Sequence, residues 1–200
     1  MKLLVCTDIH SSRKALKKLT ALSKQHNPDI IVCCGDLSMF EIHLKMVIRS
    51  LAALKRPLIL VHGNHEEPST FKKMCKPYKH AHVIHGTHFV LGDYLFLGYG
   101  GDGFSVVDPL FMLYAKQFEK AIRQNKDKKL ILVTHAPPQR TKLDKIHGHY
   151  CGNKSIRQFI GKFQPLYAFS GHLHENFGKQ DRIKKTVVMN PGPFGKIISL

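Results

Sequence analysis

Five apolar runs in this chain each lead directly into residues that can hold a metal ion. They are LLVCTDIH with Asp8 and His10, IIVCCGD with Asp36, LILVHGNH with Asn64, LILVTH with His135, and YAFSGHLH with His172 and His174. Continuous apolar runs of this length suit strands buried on both faces, as in parallel sheets. Such sheets bind their ligands at the carboxyl ends of the strands. The spacing narrows the choice further. Asp8 and Asp36 stand 28 residues apart, and Asp36 and Asn64 again 28, which is about one strand-helix unit each time, so each unit returns to the same end of the sheet.

Between these runs the pattern changes to that of helices. Leu16, Leu19 and Leu22 share one face of a predicted helix from about Ser12 to Gln25, with Ser11 or Ser12 as its cap. Leu44, Val47, Ile48 and Leu51 do the same for a helix over Glu41 to Leu54. Further helices are expected over Pro109 to Gln124 and Ser155 to Phe163. The stretch VIHGTHFVLGDYLFLGYGG predicts antiparallel strands meeting at tight turns around Gly86 and Gly92-Asp93. No repeat, low-complexity linker or domain boundary interrupts the 200 residues. The expectation is one α/β domain, with two sheets face to face and helices outside.

Taken one at a time, the candidate ligands have ordinary explanations. Asp8 or Asp36 could cap a helix, Asn64 could serve a turn, and the His172 and His174 pair could lie on the surface. Taken together they form a pattern. Asp8-x-His10 and His172-x-His174, if extended, each project two side chains to one side. Gly35, Gly63 and Gly171 directly precede ligands, where the backbone must approach closely. The donor set of carboxylate, imidazole and amide oxygen has no thiolate and suits hard or borderline divalent ions.

These blocks, D8-x-H10, G35-D36, G63-N64-H65-E66, T134-H135 and G171-H172-x-H174, resemble the five-block signature of calcineurin-like metallophosphoesterases. The resemblance implies a four-layer α/β/β/α sandwich. It implies one metal on Asp8, His10, Asp36 and His174, and a second on Asp36, Asn64, His135 and His172, with Asp36 bridging. His65 is then no ligand but faces the substrate and assists the leaving oxygen. Two cations roughly 3.5–4 Å apart can clamp both oxygens of an in-line displacement and acidify a bridging water, the hydroxide that attacks. The stretch from Thr134 to Ile160, with SGHLHE and VMNPGP, is similar to the narrower Icc-type bacterial and archaeal phosphoesterases, except that Asn153 stands where that group carries Ser. Mn or Fe is the first expectation for the metal, with Zn, Ni or Mg also compatible.

Outside the blocks, Arg13, His147 and His149 are candidate substrate contacts, with Arg140 behind them. Glu66 either orients its surroundings or opens a helix, and the NPGP run at Asn190 reads as a turn. The formal net charge of +17 favours an anionic partner: a phosphoester substrate, a nucleotide among the candidates, or nucleic acid. A nuclease and a non-catalytic scaffold of the same fold are therefore the alternatives to a small-molecule phosphodiesterase or phosphomonoesterase. Five cysteines without C-x-x-C spacing point to reduced thiols. No apolar run nears the roughly 20 residues of a membrane span. With no leader of the secretory type, the expected location is the cytoplasm.

Overall fold

A computed structural model describes residues 1–101 and 103–200. In chain order its elements are β1 (Lys2–Cys6), α1 (Arg13–His26), β2 (Ile30–Cys33), α2 (Leu44–Ala52), β3 (Leu58–Leu60), α3 (Pro68–Cys75), β4 (Ala81–Val83), β5 (Thr87–Leu91), β6 (Tyr94–Tyr99), α4 (Pro109–Gln124), β7 (Lys129–Thr134), β8 (Lys145–Ile146), β9 (His149–Tyr150), α5 (Lys154–Phe163), β10 (Tyr167–Phe169), β11 (Gln180–Ile183), β12 (Thr186–Met189) and β13 (Lys196–Ser199).

The first sheet has the order β13-β1-β2-β3-β4 and the second β11-β12-β10-β7-β6-β5. In the first, β1 to β4 are parallel and β13 joins antiparallel. In the second, β6, β7, β10 and β12 are parallel and both edges are antiparallel. Side-chain alternation along the buried strands sorts residues into three cores. Leu3 and Val5 of β1 meet Phe96, Ile131, Val133 and Phe169 of the second sheet. Leu4 and Cys6 face outward against Leu16 and Leu19 of α1. Leu97 and Leu132 face outward against Phe111, Phe118 and Phe159 of α4 and α5. Helix, sheet, sheet and helix therefore stack as four layers, as the sequence predicts. No described helix is long and apolar enough to cross a membrane.

Three expectations need correcting. The second helix begins at Leu44, not Glu41, because Phe40, Glu41 and His43 all have positive φ (48°, 65° and 63°) and form a turn before it. The turn at Gly86 does not join antiparallel neighbours. It carries the chain from β4 in the first sheet to β5 in the second, and only the Gly92-Asp93 turn closes a hairpin, β5 with β6. Helix α3 escapes the helical pattern because only Phe71 and Cys75 are buried on it. It is set by local signals instead: Glu67 caps it and Pro68 opens it.

Candidate metal centre

Each of the five blocks leaves the carboxyl end of a parallel strand. Asp8 follows β1, Asp36 follows β2 and Asn64 follows β3 in one sheet, while His135 follows β7 and His172 follows β10 in the other. The rim is thus shared by both sheets. Backbone bonds lock the loops together: Asp8 N–H donates to the Gly35 carbonyl at 3.0 Å, His10 N–H to the Asp36 carbonyl at 3.1 Å, and Gly171 N–H to the His135 carbonyl at 2.9 Å. The His172 N–H reaches both Asp8 carboxylate oxygens, at 3.2 and 3.1 Å, and so joins the sheets at the site.

The side chains do not converge by the extended geometry expected of D-x-H and H-x-H. Asp8, His10, Asp36 and His172 all have left-handed φ (51°, 45°, 49° and 71°). His174 opens a short 3₁₀ turn. Such angles in non-glycine residues store strain that the surrounding bonds must hold, and they cluster at functional sites. The glycines before ligands fit closely. A Cβ on Gly63 would lie 1.9 Å from Asp36 Oδ1, and one on Gly171 would lie 2.4 Å from Asp8 Oδ2.

All seven candidate ligands come together. His10 Nε2 and His174 Nε2 stand 3.0 Å apart, with His174 Nε2 3.6 Å from Asp8 Oδ1. Asp36 Oδ2 is 3.4 Å from His135 Nε2, 3.7 Å from His10 Nε2 and 3.8 Å from His65 Nε2. Asn64 Oδ1 lies 2.9 Å from His135 Nε2 and 3.0 Å from His172 Nδ1. Ligand atoms of Asp8, His10 and His174 fall within 4.8 Å of one another, as do those of Asp36, His135 and His172, and those of His10, Asp36 and His65.

The proton arrangement favours cations here. His10 Nδ1 faces the Ser38 carbonyl at 3.1 Å and His135 Nδ1 faces the Cys34 carbonyl at 2.9 Å. A ring nitrogen beside a carbonyl must carry the proton, which in a neutral ring leaves the Nε2 lone pair aimed inward. Two imidazole lone pairs, two carboxylates and an amide oxygen then face one another, an arrangement that protons or cations must neutralise. Without a metal, protons do so. Burial works against the His135 cation, but its bond and ion pair with Asp36 prevail and lift its pKa to about 9. Burial pushes Asp36 up, yet His135 and then His65 outweigh it and hold the carboxyl at about 2. Burial, with His135 beside it, pulls His172 down to about 4.

Behind the ligands stands Glu66, which is 5% exposed. Its Oε2 accepts from the backbone N–H of Asp36 (3.1 Å) and Gly63 (2.9 Å), and its Oε1 from the N–H (2.8 Å) and hydroxyl (3.0 Å) of Ser38. The sequence left its role open between orienting and helix-starting, and the geometry makes it an orienting residue. Asn190 is a second such residue, read from sequence only as part of a turn. Fully buried, it donates to the Leu173 carbonyl at 3.3 Å and accepts from Gly192 N–H at 3.1 Å, bracing the His172 loop. Asn153 caps α5 through a 2.9 Å bond from Ile156 N–H, a role Ser would also fill, and its amide also reaches Asp108 at 3.3 Å.

Three expected substrate contacts do not bond to the candidate ligands. Arg13 is exposed on the first turn of α1, and His147 and His149 are exposed on the β8-β9 hairpin. Among the described residues, no hydrogen bond, ion pair or ring contact joins any of them to the ligands. The hairpin is held at its base by Asn176, which donates to the Leu143 and Lys145 carbonyls. Arg140 is likewise exposed, its N–H bonded to Asp144 at 2.9 Å.

A stack of rings that the sequence did not reveal lies deeper. The buried His62 ring is 4.7 Å from His85, which is 5.3 Å from Tyr99. The Tyr99 hydroxyl donates to Asp108 at 2.8 Å. Burial first, and His62 second, lower the His85 pKa from 6.5 to about 4. The unfolded chain therefore takes up a proton that the folded chain refuses as pH falls below about 6.5. The stabilising contribution is full above that pH and is lost as pH drops through 4. Discounted for the partial exposure of His85, the loss between pH 7 and pH 5 should be about 1 kcal/mol. In metal-free protein, His85→Gln should shrink the difference in urea midpoint between those two pH values. An unchanged difference would contradict the assignment.

The chain belongs to a family that this fold and site define. The calcineurin-like phosphoesterase family profile matches residues 1–176, and the chain is a member of that family. An uncharacterized protein of Methanocaldococcus jannaschii is 29% identical over 211 aligned residues, covering 96% of this chain and 88% of its own length. Among solved structures, a protein of Thermus thermophilus superposes with a TM-score of 0.78 at 19% identity, covering 96% of this chain and 89% of its own. A dimetal phosphatase from Danio rerio reaches 0.70 at 11% identity, covering 97% and 88%. A structure described as an archaeal phosphodiesterase reaches 0.56 at 19%, covering 96% and 84%. At these identities the structural likenesses establish the shared fold.

Proposed function

We propose that this chain is a two-metal hydrolase of phosphoester bonds, and that its preferred substrate is a phosphodiester, split by water into a monoester and an alcohol. The observation that carries the reading is the position of the Asp36 carboxylate, which belongs both to a group with His10 and His65 and to a group with His135 and His172. Asp8, His10, Asp36 and His174 would hold one divalent ion, and Asp36, Asn64, His135 and His172 the other. Bound cations supply an acidified water and positive charge against the phosphoryl oxygens. The protein residues do the rest. Ser38 and Cys34, through their carbonyls, keep the Nδ1 protons of His10 and His135 in place, so that each Nε2 stays available.

In this reading His65 holds a proton at Nε2 and passes it to the departing oxygen. Its backbone N–H donates to Asp36 Oδ1 at 3.1 Å, which fixes the ring beside the carboxylate it does not need to share. It groups with His10 and Asp36 as a possible ligand, but Asp8 and His174 complete that side without it. The diester preference draws on the resemblance to the Icc-type group and on the neighbour described as a phosphodiesterase.

The test uses metal-stripped protein with and without Mn, on bis-p-nitrophenyl phosphate and p-nitrophenyl phosphate. Mn-dependent cleavage favouring the diester is expected. Preference for the monoester would redirect the assignment to a phosphatase, and no cleavage despite two bound ions would favour a scaffold. His65→Ala should keep its metal and lose about 10²- to 10⁴-fold in kcat on a diester with an alkyl leaving group. The loss should be smaller for p-nitrophenolate, which departs without needing a proton. Equal losses on both leaving groups would remove His65 from the role of proton donor.

A further inference from the structure

Two phenylalanines touch different members of the ligand cluster, and both are exposed. Phe40 is 72% and Phe104 67% accessible. The Phe40 ring lies edge-on to His65 with centroids 4.4 Å apart, and the Phe104 ring edge-on to His172, also at 4.4 Å. Between them the contacts run from His65 through Asp36 to His135 and His172, so the two rings are joined through the cluster on which the chemistry is placed above. Apolar neighbours extend each flank: Ile42 is 60% exposed beside Phe40, and Val107 is 57% exposed near Phe104.

The Phe40 flank is built with some effort. Residues 39–42 form a tight turn closed by Ile42 N–H to the Met39 carbonyl at 3.0 Å. Both central residues, Phe40 and Glu41, have positive φ, as in a type I′ turn, where Asn and Gly are the residues that fit without strain. A bulky residue with positive φ is an outlier held by its surroundings. Here the Ser11 hydroxyl donates to the Ile42 carbonyl at 2.6 Å, and Glu41 Oε1 accepts from Glu67 N–H at 3.0 Å. The turn thus holds an exposed aromatic ring against the proposed proton donor, where burial gives no return in stability. Exposed apolar groups beside a polar reaction site mark a place for a ligand.

Resting on the phosphodiesterase reading, we infer that Phe40 and Phe104 are stacking platforms that select a phosphodiester carrying a nucleobase on each side of the phosphate, as in a short single-stranded oligonucleotide. A base covers one face of a ring and leaves its own polar edge in water, so an open, exposed ring suits it. An acyl chain laid on the same surface would remain half in water. The excess of 31 Lys and Arg over 14 Asp and Glu draws a polyanion toward the site.

The test compares kcat/KM of the Mn-loaded protein for thymidine 5′-p-nitrophenyl phosphate, methyl p-nitrophenyl phosphate and hexyl p-nitrophenyl phosphate. The thymidine ester should be preferred over the methyl ester by about tenfold or more, and replacing both Phe40 and Phe104 by alanine should collapse that ratio, with tyrosine at both positions restoring it. A ratio is unmoved by loss of folded or metal-loaded enzyme. In a second readout, metal-free wild type should shift the thymine methyl resonances of the dinucleotide TpT upfield by ring current, and the double alanine variant should not. Equal rates on thymidine and methyl esters, a preference for the hexyl ester, or an unchanged ratio in the variants would each overturn the platforms while leaving the phosphodiesterase reading standing. No turnover of any of the three diesters would end that reading, and this inference with it.

Discussion

Replacing Asp36 by asparagine should empty both cation positions at once and lower turnover on the order of 10³-fold. The side chain is 2% exposed, and its Oδ2 is within 3.8 Å of three imidazole nitrogens. An asparagine oxygen could still accept the His65 N–H, but the amide NH₂ would then point at those nitrogens and oppose any cation among them. It would also remove the one negative charge the two ligand groups share, a loss of several kcal/mol of cation binding and charge stabilisation, where each 1.36 kcal/mol is a factor of ten. Metal per chain, measured after dialysis against Mn, should fall from about two toward zero, with circular dichroism unchanged. His174→Ala is the contrast. It touches only the Asp8 and His10 side, so it should lose one ion and keep the other. Retention of one ion by the Asp36 variant would show that the carboxylate serves a single position.

The contrast between these residues and the rest of the site explains what the sequence could and could not reveal. The candidate ligands that converge were legible because each stands a few residues beyond a continuous apolar run, and parallel strands bring those ends to one rim. The four layers were legible for the same reason, since alternation along β1 or β7 divides the side chains between two cores. The local backbone was not. Asp8, His10 and His172 take left-handed angles that the D-x-H and H-x-H spacings do not disclose, because tertiary bonds such as His172 N–H to Asp8 impose them. The turn at 39–42 was hidden inside a good helical pattern for that same reason. Arg13, His147 and His149 were named from residue type and nearness in sequence alone; all three are exposed, and among the described residues none bonds to the candidate ligands. Buried partners such as Asn190 are ordinary residues in sequence and acquire a role only through packing.

Glu66 is the buried partner whose loss should matter most to the fold around the site. Four donors converge on its two oxygens, two on each, and three of them are backbone N–H groups of Asp36, Ser38 and Gly63. Each belongs to a loop that carries part of the cluster: Asp36 directly, His10 through the Ser38 carbonyl, and Asn64 and His65 through Gly63. Burial pushes the Glu66 carboxyl up from its ordinary value while those donors pull it back, so the carboxylate is retained by its bonds and not by solvent. Glu66→Gln keeps one acceptor oxygen but turns an NH₂ toward two donors. Losing two bonds to a charged acceptor, and leaving both donors buried, should cost about 3 kcal/mol or more. For a chain of this size that is a drop in Tm of roughly 6–12 °C. Orientation should fail as well, so Mn affinity should weaken by roughly 10- to 100-fold, the range found for residues that position ligands without touching the metal. The neighbouring Glu67 provides the control. It is exposed, caps α3 through Thr70 N–H at 2.7 Å, and its replacement by glutamine should leave Mn affinity where it was. If Glu66→Gln melted and bound Mn like the Glu67 variant, the carboxylate would be a passive filler of space and the three loops would owe their geometry to something else.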